Sequence, residues 1–383
     1  MVLLASSAPW RLLASIFFPL SASLAVVASA ESVPIGRYVE LRAGAAAGHP
    51  WAASGGDAGR TGRSQARAPL RVPSLRWRLA LATTRLVPPA VRADGMLIVG
   101  AKDGVHAIDA RGEQQWFAAI GSVRYTPALG PDGESVAIAR GRLYVLDPRG
   151  QARELELPAP AVTAPLLLGS GAIVVAGLDQ RAHVLGLDGA YVGGAAVGSA
   201  RWTLASGDGW IAVAGHGREL ILVAPYGDAS RRVRLGSGVA VSPLALAGTI
   251  WTIGESGSLS IVEPDGRATS LVELGPQAVG VAPALGRDGG LRVGLRHGEI
   301  ACYDAAGKER WRRGIDGSPS APLLDADDTT VVISSRGTLY SIARDGTLLW
   351  RQRTELSAAG RPVLAADGTL YLVGRGGRLE AWR

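Results

Sequence analysis

The chain has 383 residues, 47% of them apolar and only 5% aromatic, with 52 glycines and 22 prolines, a composition that excludes a fold of long helices and favours many short strands joined by tight turns. Its single cysteine, Cys302, excludes an intramolecular disulfide, so burial alone must hold the fold. The net charge of +7 comes from arginines scattered singly among Gly and Ala, with Lys102 and Lys308 the only lysines, which argues against the clustered basic face that nucleic-acid binding needs.

Residues 1–30 read as an export signal. Arg11 supplies a short positive region, Leu12 to Val27 is largely apolar, and Ala28-Ser29-Ala30 is a small-residue cleavage site that would leave Glu31 at the new N-terminus, in a periplasmic or extracellular protein. An uncleaved anchor is the alternative, disfavoured by Pro19 and the serines in and beside the stretch. No later segment is long and apolar enough to span a bilayer, and Cys302 lies too far from the signal to carry a lipid. Residues 31–69 are then a leader, and 70–383 a repeat domain.

The repeat is a unit that opens with Pro and an apolar pair. It begins at Pro89, Pro127, Pro165, Pro243, Pro283, Pro322 and Pro362, and once, near Thr203-Leu204, without the proline, so that starts fall every 38 to 40 residues. Each unit carries three turn signals. The first is Asp94-Gly95, Asp132-Gly133, Gly171, Asp208-Gly209, Gly248, Asp288-Gly289 and Asp367-Gly368, with Asp327-Asp328 the exception; in the second, Asp179-Gln180 is the exception. The third is always a glycine: Gly112, Gly150, Gly189, Gly227, Gly266, Gly307 and Gly346. Short hairpin loops place a residue at positive φ, where any side chain is penalised. An acid three residues earlier, at Asp109, Asp147, Glu263 and Asp304, can cap the turn amides.

Three turns per unit mean four strands, and the strand after the first turn is a nearly continuous apolar run, as in Met96 to Val99 or Val331 to Ile333, so it is covered on both sides. The pattern predicts an all-β, eight-bladed β-propeller of four-stranded antiparallel blades. A seven-bladed ring, with the proline-poor fourth unit absorbed into its neighbours, is the alternative, and an open solenoid the runner-up architecture. The last unit stops at Arg383, after its third strand, while Ser74 to Leu79 ends like other units' final strands, as in Glu309-Arg310-Trp311-Arg312. The strand of Trp77 is therefore expected to complete the last blade and leave no bare edge.

Pro50-Trp51, Gly56-Asp57, Arg60 to Ser64 and Leu75-Arg76-Trp77, with the units Leu339 to Trp350 and Asp304 to Trp311, resemble the leader and repeat of the pyrroloquinoline-quinone-like (PQQ-like) β-propeller proteins over roughly residues 50–383. Units two to five lack the final Trp of that pattern. The resemblance implies a fold shared by quinone dehydrogenases and by non-enzymatic scaffolds such as the propeller subunit of the outer-membrane assembly machinery, so fold alone does not decide activity.

Trp116, Trp311 and Trp350, each four residues after the third-turn glycine, and Trp77 are read as blade-docking residues on outermost strands rather than as platforms for a planar cofactor. His106 and His183 sit at equivalent positions in non-adjacent units, as do His216 and His297, and His49 precedes the first blade, so no metal site is expected. Carboxylates mostly flank turn glycines, where backbone capping accounts for them, and no acid–base pair stands apart. Cys302 reads as a small packed strand residue. Alcohol-oxidising quinone enzymes, to which the resemblance extends, carry a vicinal cysteine pair and a calcium site built from carboxylate and amide oxygens; one cysteine excludes the pair, and the lack of asparagine excludes an Asn ligand. No catalysis and no cofactor are expected, PQQ with calcium being the alternative. The expected function is a monomeric exported scaffold that binds a protein or cell-envelope component through its face loops; a quinone-dependent oxidoreductase with its site at the central channel is the alternative.

Overall fold

In the computed structural model of the chain, the residues described are 48–383, apart from 202, 203, 208, 216, 279, 358 and 359. The export signal, the first part of the leader, Thr203, Asp208 and His216 lie outside them. The described residues form eight four-stranded antiparallel sheets, which overturns the seven-bladed alternative: the fourth unit has its own sheet, with strands Ala205–Gly207, Trp210–Ala214, Glu219–Val223 and Ser230–Arg234. No helix among the described residues is long and apolar enough to cross a membrane.

The sheets close into a ring because each buries its faces against the next. Apolar clusters join blades 1 and 2 through Ile98 and Leu146, 2 and 3 through Val136 and Leu185, 3 and 4 through Val174 and Ile211, 4 and 5 through Leu222 and Ile250, 5 and 6 through Leu259 and Leu291, and 6 and 7 through Ile300 and Val332. A further cluster contains Leu323 of blade 7, Leu364 of blade 8 and Leu97 of blade 1, and so completes the circle. Burial falls outward within each blade. Second strands such as Ser135–Ala139 and Leu370–Gly374 are buried at every position, whereas fourth strands such as Leu75–Ala80 mix exposed and half-buried residues. The continuous apolar runs and the alternating outer strands are two consequences of one radial gradient.

The last blade is assembled from both chain ends. Leu75–Ala80 pairs antiparallel with Arg378–Trp382, with Trp77 opposite Ala381 and Leu79 opposite Leu379. Ser74 and Arg383 exchange backbone hydrogen bonds of 2.8 and 2.9 Å beyond the strand ends. Arg78 donates to the fully buried Glu380 carboxylate at 2.7 Å, and the Trp382 indole donates to its other oxygen at 2.9 Å.

The turns follow the backbone rather than the residue type. Asp328 (φ 60°) and Gln180 (φ 63°), the two departures from the turn pattern, adopt the left-handed conformation that glycines take elsewhere. Asp109, Asp147 and Asp304 accept from turn amides. Glu263 does not: its longer side chain accepts from Thr249 Oγ1 instead, and Asp265 caps that turn by accepting from the Arg267 amide at 2.9 Å.

Four docking tryptophans lie on the rim, on the outer strands of blades 8, 1, 6 and 7. Trp77, Trp116 and Trp311 each lie over the third-turn glycine of the following blade, Gly112, Gly150 and Gly346, and donate to a carbonyl of that turn: Ala110 at 2.8 Å, Pro148 at 3.1 Å and Arg344 at 2.7 Å. A Cβ on Gly346 would stand 2.7 Å from the Trp311 ring, so only glycine admits the indole. Trp350 has no such turn ahead of it, because blade 8 is where the chain stops, and it donates to Pro69 of the incoming N-terminal segment at 2.7 Å. Units without tryptophan dock by other means. Arg153 donates to Leu187 O and Asp188 O above Gly189, Arg231 donates to Pro264 O below Gly266, Gly227 packs on the backbone of Gly193 and Gly194, and Gly307 packs on Leu271 and Val272.

Trp350 is 4% exposed and couples blade 7 to the N-terminal segment. Trp350→Ala is expected to lower the unfolding free energy by about 3–5 kcal/mol, measured by urea unfolding, and to open the chain around Pro69 to limited proteolysis.

Candidate functional site

Eight innermost strands, each of two or three residues, surround the axis and turn their free backbone edges inward. Buried amides and carbonyls need partners, and water in a narrow channel is the usual source. Here the chain itself supplies them. The leader runs around the inside of the ring and accepts from one blade after another: Trp51 O from Val91, Ala52 O from Leu129, Ala58 O from Ser206, Gly59 O from Ala245, Thr61 O from Leu285 and Gly62 O from Leu324. Ala66 O then accepts from Ala326 as the segment leaves the axis. The approach is close enough to require glycine at 59, where a Cβ would lie 2.1 Å from Ala245 O.

Side chains complete the plug. Arg60, held at φ 56° and 3% exposed, donates to the carbonyls of Leu204, Ser54 and Pro165, which brings in blades 3 and 4. Arg361, at the entry to the inner strand of blade 8, donates to Ala282 O and Pro283 O of blade 6. Burial pushes both guanidinium groups down to about 10, with the charge of Asp57 opposing the shift. The Asp57 carboxylate accepts from both the amide and the hydroxyl of Thr61. It touches the small space left in the channel but is enclosed by the ring, and this burial raises its pKa against the pull of Thr61, Arg63 and Arg361. Two small cavities remain, one at each end of the plug. One, of about 250 Å³, is bordered by Arg60, Arg124, Tyr125 and Arg361; the other, of about 210 Å³, by Asp57, Thr61 and Arg63. Both fall below the ~300–1,000 Å³ typical of small-molecule sites.

A calcium-bound quinone does not fit this axis. Calcium takes six to eight oxygen ligands, whereas the axial carboxylate, Asp57, is already committed to Thr61, and the plug occupies the space between the inner strands. Among the described residues no three His, Cys, Asp or Glu side chains gather as a metal site. The histidines bond locally: His106 to Gln114 and Asp103, His183 to Tyr191 and Asp179, His297 to Glu299, and His49 to Gly130 O and the Ala93 amide. Cys302 is buried in a strand, and desolvation pushes its thiol pKa up, away from the nucleophilic thiolate. The four docking tryptophans stand on the outer strands, away from the axis.

The plug was marked in the sequence only by its glycines and by Asp57, Arg60 and Thr61. Its contacts are largely backbone to backbone, and such contacts leave no side-chain period to find.

The family model of the outer membrane protein assembly factor BamB matches residues 255–383, the part of the chain where units keep the docking tryptophans Trp311 and Trp350. The outer membrane protein assembly factor BamB of Burkholderia pseudomallei (strain K96243) is 27% identical over 296 residues, which is 75% of this chain and 68% of that protein. Among solved structures, BamB from Moraxella catarrhalis superposes with a TM-score of 0.62 at 17% identity, covering 82% of this chain and 100% of its own. The quinohemoprotein alcohol dehydrogenase of Comamonas testosteroni superposes with a TM-score of 0.68 at 14% identity, covering 88% and 80%. An assembly factor and a dehydrogenase thus share this fold, and the chemistry of the axis must separate them.

Asp57→Ala removes both acceptors of Thr61 and the carboxylate that opposes the buried Arg60 and Arg361 charges. It is expected to lower the unfolding free energy by about 3 kcal/mol, with Asp57→Asn recovering part of the loss; denaturant melts of the three proteins check this.

Proposed function

We propose that this chain, which resembles the PQQ-like β-propeller proteins, is a non-catalytic scaffold of the cell envelope that docks a protein partner of the outer-membrane assembly type on its face and rim. The observation that carries this reading is the occupied axis. Where a propeller enzyme would hold its ligand, this chain lays its own residues 51–66, fastened to the inner strands by backbone hydrogen bonds. The surfaces left for recognition are the turns and the outer strands, where residues can vary while the stacked sheets hold the frame. The similarity to an outer membrane protein assembly factor supports the choice of partner. In this reading the signal at residues 1–30 delivers a monomeric ring to the periplasm, and no cofactor takes part.

One stretch of surface favours a protein partner in particular. Of the eight large apolar side chains exposed among the described residues, four belong to the closure region: Leu70 (73% exposed), Val72 (57%), Leu75 and Leu349. They lie on and beside the strap that leads from the axis to the outer strand of blade 8, and Trp350 bonds the same strap at Pro69. Exposed apolar side chains grouped in this way mark protein contacts more often than chance exposure does.

Photo-crosslinking in the producing cell tests the proposal. A crosslinking residue in place of Val72 is expected to trap a component of the outer-membrane assembly machinery, while the same residue in place of Glu156, on the rim of blade 2, is not. Residues 31–383 with added PQQ and calcium are expected to reduce no dye with alcohols or sugars. Turnover above background, or no crosslink from position 72 to that machinery, would overturn the reading.

A further inference from the structure

The seam between blades 6 and 7 differs from the other seven. Its apolar cluster is the smallest of the ring, with Ile300, Val332, Tyr340 and Ile342 as its buried members. In the register of blade 6, Arg292 stands opposite Cys302, which stands opposite Trp311. The same row reads Ile98, Ala107, Trp116 in blade 1, Val331, Ser341, Trp350 in blade 7, and Tyr371, Ala381, Trp77 in blade 8. An arginine therefore fills a core position that the repeat elsewhere gives to an apolar or aromatic side chain. It is 1% exposed.

Among the described residues no hydrogen bond ties that guanidinium to a carboxylate, although its charge faces Asp288 and helps hold that carboxyl below its usual range. Its Nε is buried without a hydrogen bond. The nearby carboxylates are already engaged: Asp288 with Arg344 at 2.6 Å and the Gly290 amide at 3.0 Å, and Asp304 with Arg310 at 2.9 Å and the amides of Ala306 and Lys308. The remaining neighbour is the Trp311 ring, 6.0 Å from the guanidinium carbon. Thr330, on the face of blade 7 that carries Val332 into this seam, also has a buried hydroxyl without a partner. Burying a guanidinium with an unsatisfied Nε is costly, and such breaks in a repeat's packing rule concentrate at functional sites.

Beside Arg292 lies a cavity of about 670 Å³, with Cys302, Tyr303 and Trp311 in its walls and the exposed Arg310 and Arg344 at its lip. It is larger than either axial cavity and falls within the ~300–1,000 Å³ range of ligand sites. The corresponding seam between blades 8 and 1 has a cavity of about 400 Å³ at the same place, but there Tyr371 stands in the arginine's position and packs 5.8 Å from Trp77, with no buried cation.

We infer that the seam between blades 6 and 7 is a binding site for a carboxylate attached to an apolar or aromatic body, with Arg292 as its anchor. The planar guanidinium fork matches a carboxylate in two parallel hydrogen bonds. The lip arginines are already ion-paired, which leaves Arg292 as the cation here without a hydrogen-bonded carboxylate, and Trp311 and Tyr303 offer walls to the apolar part. The ligand is either a small organic acid or the carboxylate end of a peptide chain. This inference stands apart from the scaffold reading, because it uses neither the axis nor the closure strap.

Calorimetric titration and thermal melting of the full mature chain with benzoate, hexanoate, benzamide, inorganic phosphate and one apolar tetrapeptide, as free acid and as C-terminal amide, test the site. Benzoate or the free-acid peptide is expected to bind and to raise the melting temperature, while benzamide and the peptide amide do not. Arg292→Leu, which restores the apolar row, should melt no lower than the parent and lose roughly tenfold to a hundredfold in affinity. Arg292→Lys, which keeps the charge without the fork, provides a second variant and should also bind more weakly. Arg111→Ala, at the equivalent seam of blades 8 and 1, should bind as the parent does. Tighter binding of the free-acid peptide than of benzoate assigns the site to a chain end, and the reverse order to a small acid. Undiminished binding in Arg292→Leu, binding of phosphate in preference to carboxylates, or no binding by any of the acids would overturn the inference.

Discussion

Everything in this ring hangs on the pairing of Leu75–Ala80 with Arg378–Trp382. Eight stacked sheets bury one another's faces only if the circle is complete, and the final sheet has no fourth strand of its own. The same short segment sets two other contacts. Upstream of it the chain has just left the axis, so the plug is anchored at its exit; between axis and strand, Pro69 offers the carbonyl that Trp350 would otherwise lack. One strand pair thus supports the last blade, the seventh seam and the occupant of the channel.

Much of the architecture was legible because a propeller repeats its backbone problem eight times. Each hairpin needs a positive φ, so glycines recur, and each blade needs a seat for its neighbour's outer strand, so Trp116, Trp311 and Trp350 recur at one offset from them. Where the backbone demand could be met without the usual residue, the pattern broke while the geometry held, as Asp328 and Gln180 show. The docking of blades 2 to 5 was not legible, since Arg153, Arg231 and the Gly193-Gly194 pair do the tryptophan's work with unrelated chemistry. Nor was the place of the leader, which occurs once, so that no second copy exposes its spacing. Arg292 did leave a trace: it is a charge in the middle of an apolar strand, a departure from the row seen in the other blades.

The comparison with an alcohol dehydrogenase and an assembly factor shows why a shared ring carries little functional information. The sheets solve a packing problem that is the same in both. In this chain the axis is taken up by peptide, whose Gly59 permits contact with the surrounding strands.

The meeting of the two chain ends also dictates an order of events in the cell. Ser74 and Arg383 are 309 positions apart, so the first strand of the domain to leave the ribosome waits for the last residues before it can be used. Until then the eighth sheet lacks its pairing with that strand, which makes completion of the ring a late step. A polypeptide cut short by even five residues loses most of the partner of its earliest strand and leaves that edge bare.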